Sequence, residues 1–341
     1  MTRTAASPVK RLAWGLLLGL ATFGWNRQAQ GQTQAAAGPP CTLRGVSQLP
    51  TNTAIYAADG KPIARFSGSD SPLSAGPPDA QGRAAVETGT GSGSFRIKGQ
   101  IEASKIPVFT SQSVPVVAGH VWIGPYRRVT LVGAAPGRLK VQKVLTFPLA
   151  QTLTTWGPCT AFTLNPGTPP GWSYAGDARG FVLKQGTLDL FDSAGPSNLL
   201  VQTLFKAPEA EGVLFYSTEQ RGAWVHIEHH GEIVVDAWAK LSELKALPQG
   251  ETMDQLAMPT TSRNPARMAV QGQPRTVRTT REVPLRAAAK DADPVIGVIE
   301  NGTDTYVLDV MAGWASVMPK SLNVMPVENG QFWVKASDLG I

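Results

Sequence analysis

The chain has 341 residues, 42% hydrophobic and only 16% charged, with 31 Lys+Arg against 25 Asp+Glu for a formal charge of +6. The apolar share is enough to build cores, Gly 35 and Pro 27 fall short of a wholly disordered composition, and the length suggests about two or three domains. The mild basicity raises a nucleic-acid or membrane partner, whose standing depends on where the charges lie.

Residues 1–31 hold Arg3, Lys10, Arg11 and Arg27 and no acid, and Leu12 to Trp25 form an uncharged, mostly apolar run directly behind Lys10-Arg11. A spanning helix needs about 20 apolar residues, so this run is too short for one. A basic start followed by a short apolar stretch is the order of a secretory signal peptide, and Ala29-Gln30-Gly31 supplies small residues for cleavage. Residues 1–31 are therefore expected to direct export to the periplasm or the extracellular space, leaving no stable membrane span. Gly38-Pro39-Pro40-Cys41 lacks the apolar approach of a lipidation site. Cys41 and Cys159 are the only cysteines, and in an oxidising compartment they are expected to pair. That bond would close a loop of about 118 residues, a stabilisation of about 4–5 kcal/mol on the chain-entropy model.

Beyond residue 40 few stretches carry a helical apolar period. Short runs rich in Val, Ile, Leu, Thr and aromatics alternate with Gly, Pro, Asp or Asn, among them Val114–Val117, Arg128–Val132, Val213–Tyr216, Trp224–Ile227, Glu232–Val235 and Thr305–Val310. Regular short strands with turn signals predict an all-β sandwich or barrel architecture.

Internal repetition refines this. Gly93-Ser-Phe95-Arg-Ile97-Lys-Gly-Gln-Ile101-Glu-Ala-Ser-Lys-Ile106 matches Gly231-Glu-Ile233-Val-Val235-Asp-Ala-Trp-Ala239-Lys-Leu-Ser-Glu-Leu244 without a gap, and Gly330-Gln-Phe332-Trp-Val334-Lys-Ala-Ser-Asp-Leu339 is a shorter form. A second shared unit precedes each: Gly313-Trp314-Ala-Ser-Val317, Ala223-Trp224-Val-His-Ile227, Gly137-Arg-Leu-Lys-Val141 and Gly82-Arg-Ala-Ala-Val86. The copies divide the chain into degenerate units at 41–106 and 107–165 and clearer ones at 181–247 and 281–341. Residues 67–82 read as a long loop inside the first unit, 166–180 as a Pro/Gly break, and 248–280 as a flexible basic linker whose composition cannot bury enough surface to order itself.

The C-terminal copy resembles a bacterial Src-homology-3-like (SH3b) domain. The likeness rests on Val283-Pro-Leu-Arg286, Val295-Ile-Gly297-Val-Ile-Glu-Asn-Gly302, Tyr306-Val-Leu308, Gly313-Trp314…Val317 and Gly330…Trp333-Val334…Leu339. It implies several small SH3-like barrels joined by loops and a disordered linker. Extracytoplasmic relatives commonly position a hydrolase or associate with the wall, so the resemblance implies recognition of peptidoglycan peptides or of an envelope protein. Trp224, Tyr306, Trp314 and Trp333 stand where a ligand groove would lie, and packing of those rings between repeats is the alternative. The chain departs from the family in a long 318–329 loop, where 228–230 make a tight turn, and in lacking a fused catalytic domain.

Catalytic signatures are missing. There is no His-Glu-x-x-His metallopeptidase motif (His226 and His230 are four apart, but Glu228 stands at i+2 in a strand-like run), no phosphate-binding Gly-x-x-x-x-Gly-Lys loop and no Gly-x-Ser-x-Gly elbow, so no enzyme activity and no cofactor is expected. One polar cluster, His226-Ile-Glu228-His229-His230-Gly-Glu232, holds the residue types of a zinc or copper site. Consecutive residues in a turn point apart, so a solvated hairpin tip is favoured over metal binding by His226, His229 and His230. Arg263, Arg267, Arg275, Arg278 and Arg281 form an acid-free run that reads as a solvated spacer or a contact for anionic wall polymer. It lacks the interleaved aromatics of nucleic-acid stacking, and no nucleic-acid partner is expected.

The charge now has a location. Taking the four bases of residues 1–31 from 31 leaves 27 against 25 acids, or +2, and taking the five linker arginines from 27 leaves 22 against 25, or −3. The sequence thus describes an exported, non-catalytic binding or scaffolding protein. The alternatives are a purely structural envelope protein without a ligand and a metal-binding protein using the His226–His230 hairpin.

Overall fold

The computed structural model describes residues 40–89, 94–146, 149–208, 210, 212–248, 274–327 and 330–341. The expected signal peptide at 1–31, Arg263 and Arg267 lie outside the described residues.

The described chain is all β, in four successive groups of strands. The first holds β1 (Leu43–Ser47), β2 (Ala54–Tyr56), β3 (Pro62–Phe66), β4 (Ser71–Pro78), β5 (Arg83–Thr88) and β6 (Phe95–Glu102), closed by a 3-10 turn at Ala103–Lys105. The second holds β7 (Val108–Thr110), β8 (Val114–Val117), β9 (Val121–Ile123), β10 (Arg128–Ala135), β11 (Arg138–Leu145) and β12 (Gln151–Pro158), a 3-10 turn at Cys159–Ala161 and β13 (Phe162–Thr163). The third holds β14 (Arg179–Leu183), β15 (Thr187–Phe191), β16 (Leu199–Phe205), β17 (Leu214–Arg221), β18 (Trp224–His230) and β19 (Ile233–Lys240), a 3-10 turn at Leu241–Glu243 and β20 (Leu244–Ala246). The fourth holds β21 (Arg275–Arg278), β22 (Val283–Arg286), β23 (Val295–Ile299), β24 (Asp304–Met311), β25 (Trp314–Pro319), β26 (Val324–Met325) and β27 (Phe332–Lys335), with a 3-10 turn at Ala336–Leu339.

Each group is built round an antiparallel meander: β4-β5-β6, β10-β11-β12, β17-β18-β19 and β24-β25-β27. The alternation in sequence sets the faces, as in β18, where Val225 and Ile227 are fully buried while Trp224 and His226 project the other way. At or beside the tip of the first hairpin of every meander stands a glycine in the left-handed region: Gly82 (φ 73), Gly137 (φ 69), Gly222 (φ 58) and Gly313 (φ 80). Side chains rarely adopt that backbone, which is why three copies of the repeat begin with glycine and the third, beginning with Ala223, has Gly222 just before it. The first residue of each 3-10 turn donates its N–H back to that tip: Ala103 to Gly82 O (2.9 Å), Cys159 to Gly137 O (3.1 Å), Leu241 to Ala223 O (2.9 Å) and Ala336 to Gly313 O (2.9 Å). The first strand of every meander also carries a register shift, near Ala75, Leu131, Tyr216 and Val307. Such bulges add local twist.

The strands assemble into sheets of thirteen, five and nine, each running open from edge to edge, with no closed barrel among the described residues. The groups are not beads on loops, because the sheets run across their boundaries. β6 pairs with β23, joining the first group to the fourth, and β26 pairs with β3. Residues 318–329, expected to be loop, thus contain a strand that leaves its own group. Similarly, 71–78 of the expected 67–82 loop form β4, and Arg275–Arg278 of the expected flexible linker form edge strand β21 against β24. The second and third groups meet where β9 pairs with β19.

The two junctions use matching residues. Phe95 and Ile97 face Ile299 and Gly297, while Ile233 and Val235 face Ile123 and Val121. The gapless match between 93–106 and 231–244 is therefore a shared docking edge as well as a shared turn. The cores merge accordingly: Phe66, Phe95 and Phe332 lie in one continuous cluster fed by the first, second and fourth groups, with the Phe95 and Phe332 rings 6.0 Å apart. Full burial of such a side chain stabilises by about 1.5–3 kcal/mol. A second cluster joins Leu145 and Leu153 to Phe181, Phe215 and Ile227. Cys41 and Cys159 are disulfide-bonded with Cα atoms 5.5 Å apart, and Asn165 Oδ1 accepts from Val46 N–H at 2.7 Å. Both tie the first group to the second. In space the groups therefore follow the order fourth, first, second, third.

Candidate functional site: an outward aromatic–cation face repeated in each group

Because every meander ends in the same 3-10 turn, the residues before it are equivalent. Three positions ahead stand Gln100, Trp156, Trp238 and Trp333, and across the hairpin from them Ala85, Lys140, His226 and Ser316. One position ahead stand Glu102, Pro158, Lys240 and Lys335, facing Arg83, Arg138, Trp224 and Trp314. All point away from the core, since the intervening residues, such as Leu139, Ala239 and Val334, are buried. In each group a ring meets a cation there. Arg83 lies 5.2 Å from the Tyr56 ring, Arg138 and Lys140 lie 6.0 and 5.9 Å from Trp156, Arg221 lies 5.0 Å from Trp238, Lys240 lies 5.4 Å from Phe191, and Lys335 lies 6.0 Å from Trp314. These distances are within cation–π range.

Of the four aromatics singled out in the sequence, three share a face. Tyr306 pairs with Met318 and Trp333 with Ser316, so Tyr306, Trp314 and Trp333 all line the outer side of β24, β25 and β27, each half-buried. On that side the hydroxyl of Ser316 is buried with no hydrogen-bond partner. Trp224 lies in a different sheet, edge-on to Phe191 at 5.0 Å, in the position that Trp314 takes in the fourth group. Trp156 and Trp238 are not among those four, although Trp238-Ala-Lys240 and Trp333-Val-Lys335 show the same spacing.

The outer face of the third group is the most heavily covered. The 166–180 break crosses it, with Tyr174 stacked on Tyr216 at 3.6 Å and Trp172 on His230 at 4.0 Å. The Tyr174 hydroxyl accepts from His230 N–H at 3.1 Å, and burial pushes its pKa up. Trp172 itself remains 55% exposed.

The histidines do not form the expected tip. His229 and His230 lie within β18, opposite Val235 and Val234, and the turn is made by Gly231 and Glu232. His226 Nε2 pairs with Asp236 at 2.7 Å, and His230 stands 3.9 Å from Glu228. The ring of His229 instead reaches Phe215 and the Leu214 carbonyl (Nδ1 at 3.0 Å). Burial lowers the pKa of both His229 and His230, and Glu228 opposes the shift at His230. Strand alternation sends His226 and His230 to one face and His229 to the other. Among the described residues no three His, Cys, Asp or Glu side chains converge as a metal site would require. Arg278 and Arg281 of the basic run stay largely exposed while pairing with Asp304 (3.5 Å) and Asp338 (2.7 Å).

No family model, no curated protein and no solved structure matches the chain. Among the described residues no helix is long and apolar enough to cross a membrane.

Proposed function

We propose that the protein is an exported, non-catalytic binding or scaffolding protein of the cell envelope. It is built from four SH3-like units whose barrels are opened so that neighbours share sheets. In this proposal the outer face of β24, β25 and β27 receives an extended segment, either a peptidoglycan peptide or part of an envelope protein. The supporting observation is the gathering of the half-buried Tyr306, Trp314 and Trp333 on that face. The non-catalytic part of the proposal rests on the absence of hydrolase and phosphate-loop signatures in the sequence.

The competing reading is a structural protein without a ligand. It is favoured by the third group, where Trp238 is only 8% exposed because its neighbours cover it. Trp314→Ala with Trp333→Ala separates the two. Lost retention on purified sacculi with unchanged melting supports a groove, whereas a large fall in melting temperature with retained binding supports packing.

A further inference from the structure

The charge balance of the folded part conceals a strong polarity. Between Glu102 and Asp177 the sequence has no acidic residue, yet it holds Lys105, Arg127, Arg128, Arg138, Lys140 and Lys143. This stretch contains the whole second group. Part of the excess is answered by neighbours: Lys143 pairs with Glu232 of the third group at 2.7 Å and Lys105 with Glu102 at 3.4 Å. Arg138 and Lys140 have no carboxylate partner among the described residues. Both lie near the Trp156 ring, Lys140 directly opposite it in the register and Arg138 opposite Pro158, two residues on.

Around them the outward face carries neutral polar side chains together with the exposed Val144. Thr130 faces Gln142, Gln142 faces Thr154, and Gly133 faces Lys140. Arg138 and Thr154 are exposed, and Lys140, Gln142 and Trp156 are partly so. The face therefore combines one ring, two uncompensated cations and a row of hydroxyl and amide groups, with no acid on β10, β11 or β12.

We propose that this face binds an anionic polysaccharide, with Trp156 stacking on the C–H side of a sugar ring. Arg138 and Lys140 take the acid groups of adjoining residues, and Thr130, Gln142 and Thr154 take sugar hydroxyls. A nucleic acid is the less suitable polyanion, because sequence-tolerant strand binding uses successive rings for successive bases, and this face has one. The inference adds a second ligand surface to the proposed envelope function, and its test does not touch Tyr306, Trp314 or Trp333.

The experiment titrates the whole chain with oligogalacturonate, phosphorylated dextran, neutral dextran and oligodeoxythymidylate at low and moderate salt. Binding of either acidic glycan, weakened by salt and absent for neutral dextran, is expected, and the better of the two identifies carboxylate or phosphate as the preferred acid. Trp156→Ala and the pair Arg138→Gln/Lys140→Gln are each expected to lower that affinity by about tenfold or more. The charge variant alters only outward-facing side chains, so it tests the site even if Trp156→Ala fails to fold. Equal binding of neutral dextran, tighter binding of oligodeoxythymidylate, no binding of either acidic glycan, or unchanged affinity in the charge variant would each overturn the proposal. Retention on sacculi by the Arg138→Gln/Lys140→Gln chain reports separately on the aromatic face of the fourth group.

Discussion

Gly297 lies so close to Ile97 across the pairing of β23 with β6 that a Cβ at Gly297 would stand 2.9 Å from the Ile97 Cα and would collide with the carbonyl oxygen of Arg96. Space, not backbone conformation, demands glycine here. Gly297→Ala must push β23 off β6, and with it the fourth group off the first. Overpacking of this kind costs about 1–3 kcal/mol, expected as a lower urea midpoint with earlier proteolysis within 274–341. An unchanged midpoint would mean that the two strands are not held together in solution.

Glu232 is predicted to be the most sensitive carboxylate of the second junction. It lies 2.7 Å from the ammonium of Lys143, whose side chain is 8% exposed. It also draws on Arg127, whose pKa burial lowers and Glu232 raises, and whose Nε is buried without a partner. Glu232→Gln leaves both cations without that carboxylate, and because Glu232 is 26% exposed the cost falls below the roughly 3–5 kcal/mol of breaking a fully buried pair from one side. The pair Lys143→Met/Glu232→Gln should recover much of that loss in chemical denaturation. A double variant less stable than Glu232→Gln alone would contradict this account.

Reduction of the Cys41–Cys159 bond, with its sequence separation of 118, is expected to destabilise the protein by about 4–5 kcal/mol on the chain-entropy model. The same loss should appear in Cys41→Ser/Cys159→Ser without reductant. The measurement is the denaturant midpoint with and without dithiothreitol, and equal midpoints would refute the estimate.

Acid should weaken the third group through His229. Its folded pKa lies below the ordinary 6.5, chiefly through burial. The unfolded chain therefore takes up the proton first, and stability present above pH 6.5 declines as pH falls towards the folded value. Nδ1–H donates to the Leu214 carbonyl, so His229→Gln can keep a donor while removing the titration. The variant's melting temperature should change less between pH 7.5 and pH 5 than the parent's, and an equal change would sink the assignment.

The strands and turns were legible because their causes are local. Alternation marked Val114–Val117 and Trp224–Ile227, and the glycines at 82, 137 and 313 marked the hairpins. Which edges meet was not legible, because ladder hydrogen bonds are made by backbone that carries no sequence label. Nothing in Phe95-Arg96-Ile97 names Gly297-Val298-Ile299 as its partner, and Gly297 reads as a spacing constraint only once that partner is present. The aromatic sites were half-legible for a related reason. Aligning the last copy on Gly330 places Phe332 on Ile233, but β27 has four residues where β19 has eight. The 3-10 turn is the true fixed point, and it places Trp333 on Trp238. Trp172 and Tyr174 sat in a segment rich in Pro and Gly, where no periodicity could announce the distant rings on which they stack.

The pairing of β6 with β23 also sets the order in which the protein can be completed. Residues 95–97 leave the ribosome with an open edge, and the strand that covers it, 295–299, follows some 200 residues later, or about 10–40 s at ordinary elongation rates. Until then the first group presents unpaired backbone and the core side of Phe95. The nascent chain is thus held short of its native state by topology alone. Its slowest folding step should be the return of the C-terminal strands to the first group, as pairing across such a sequence separation is intrinsically slow.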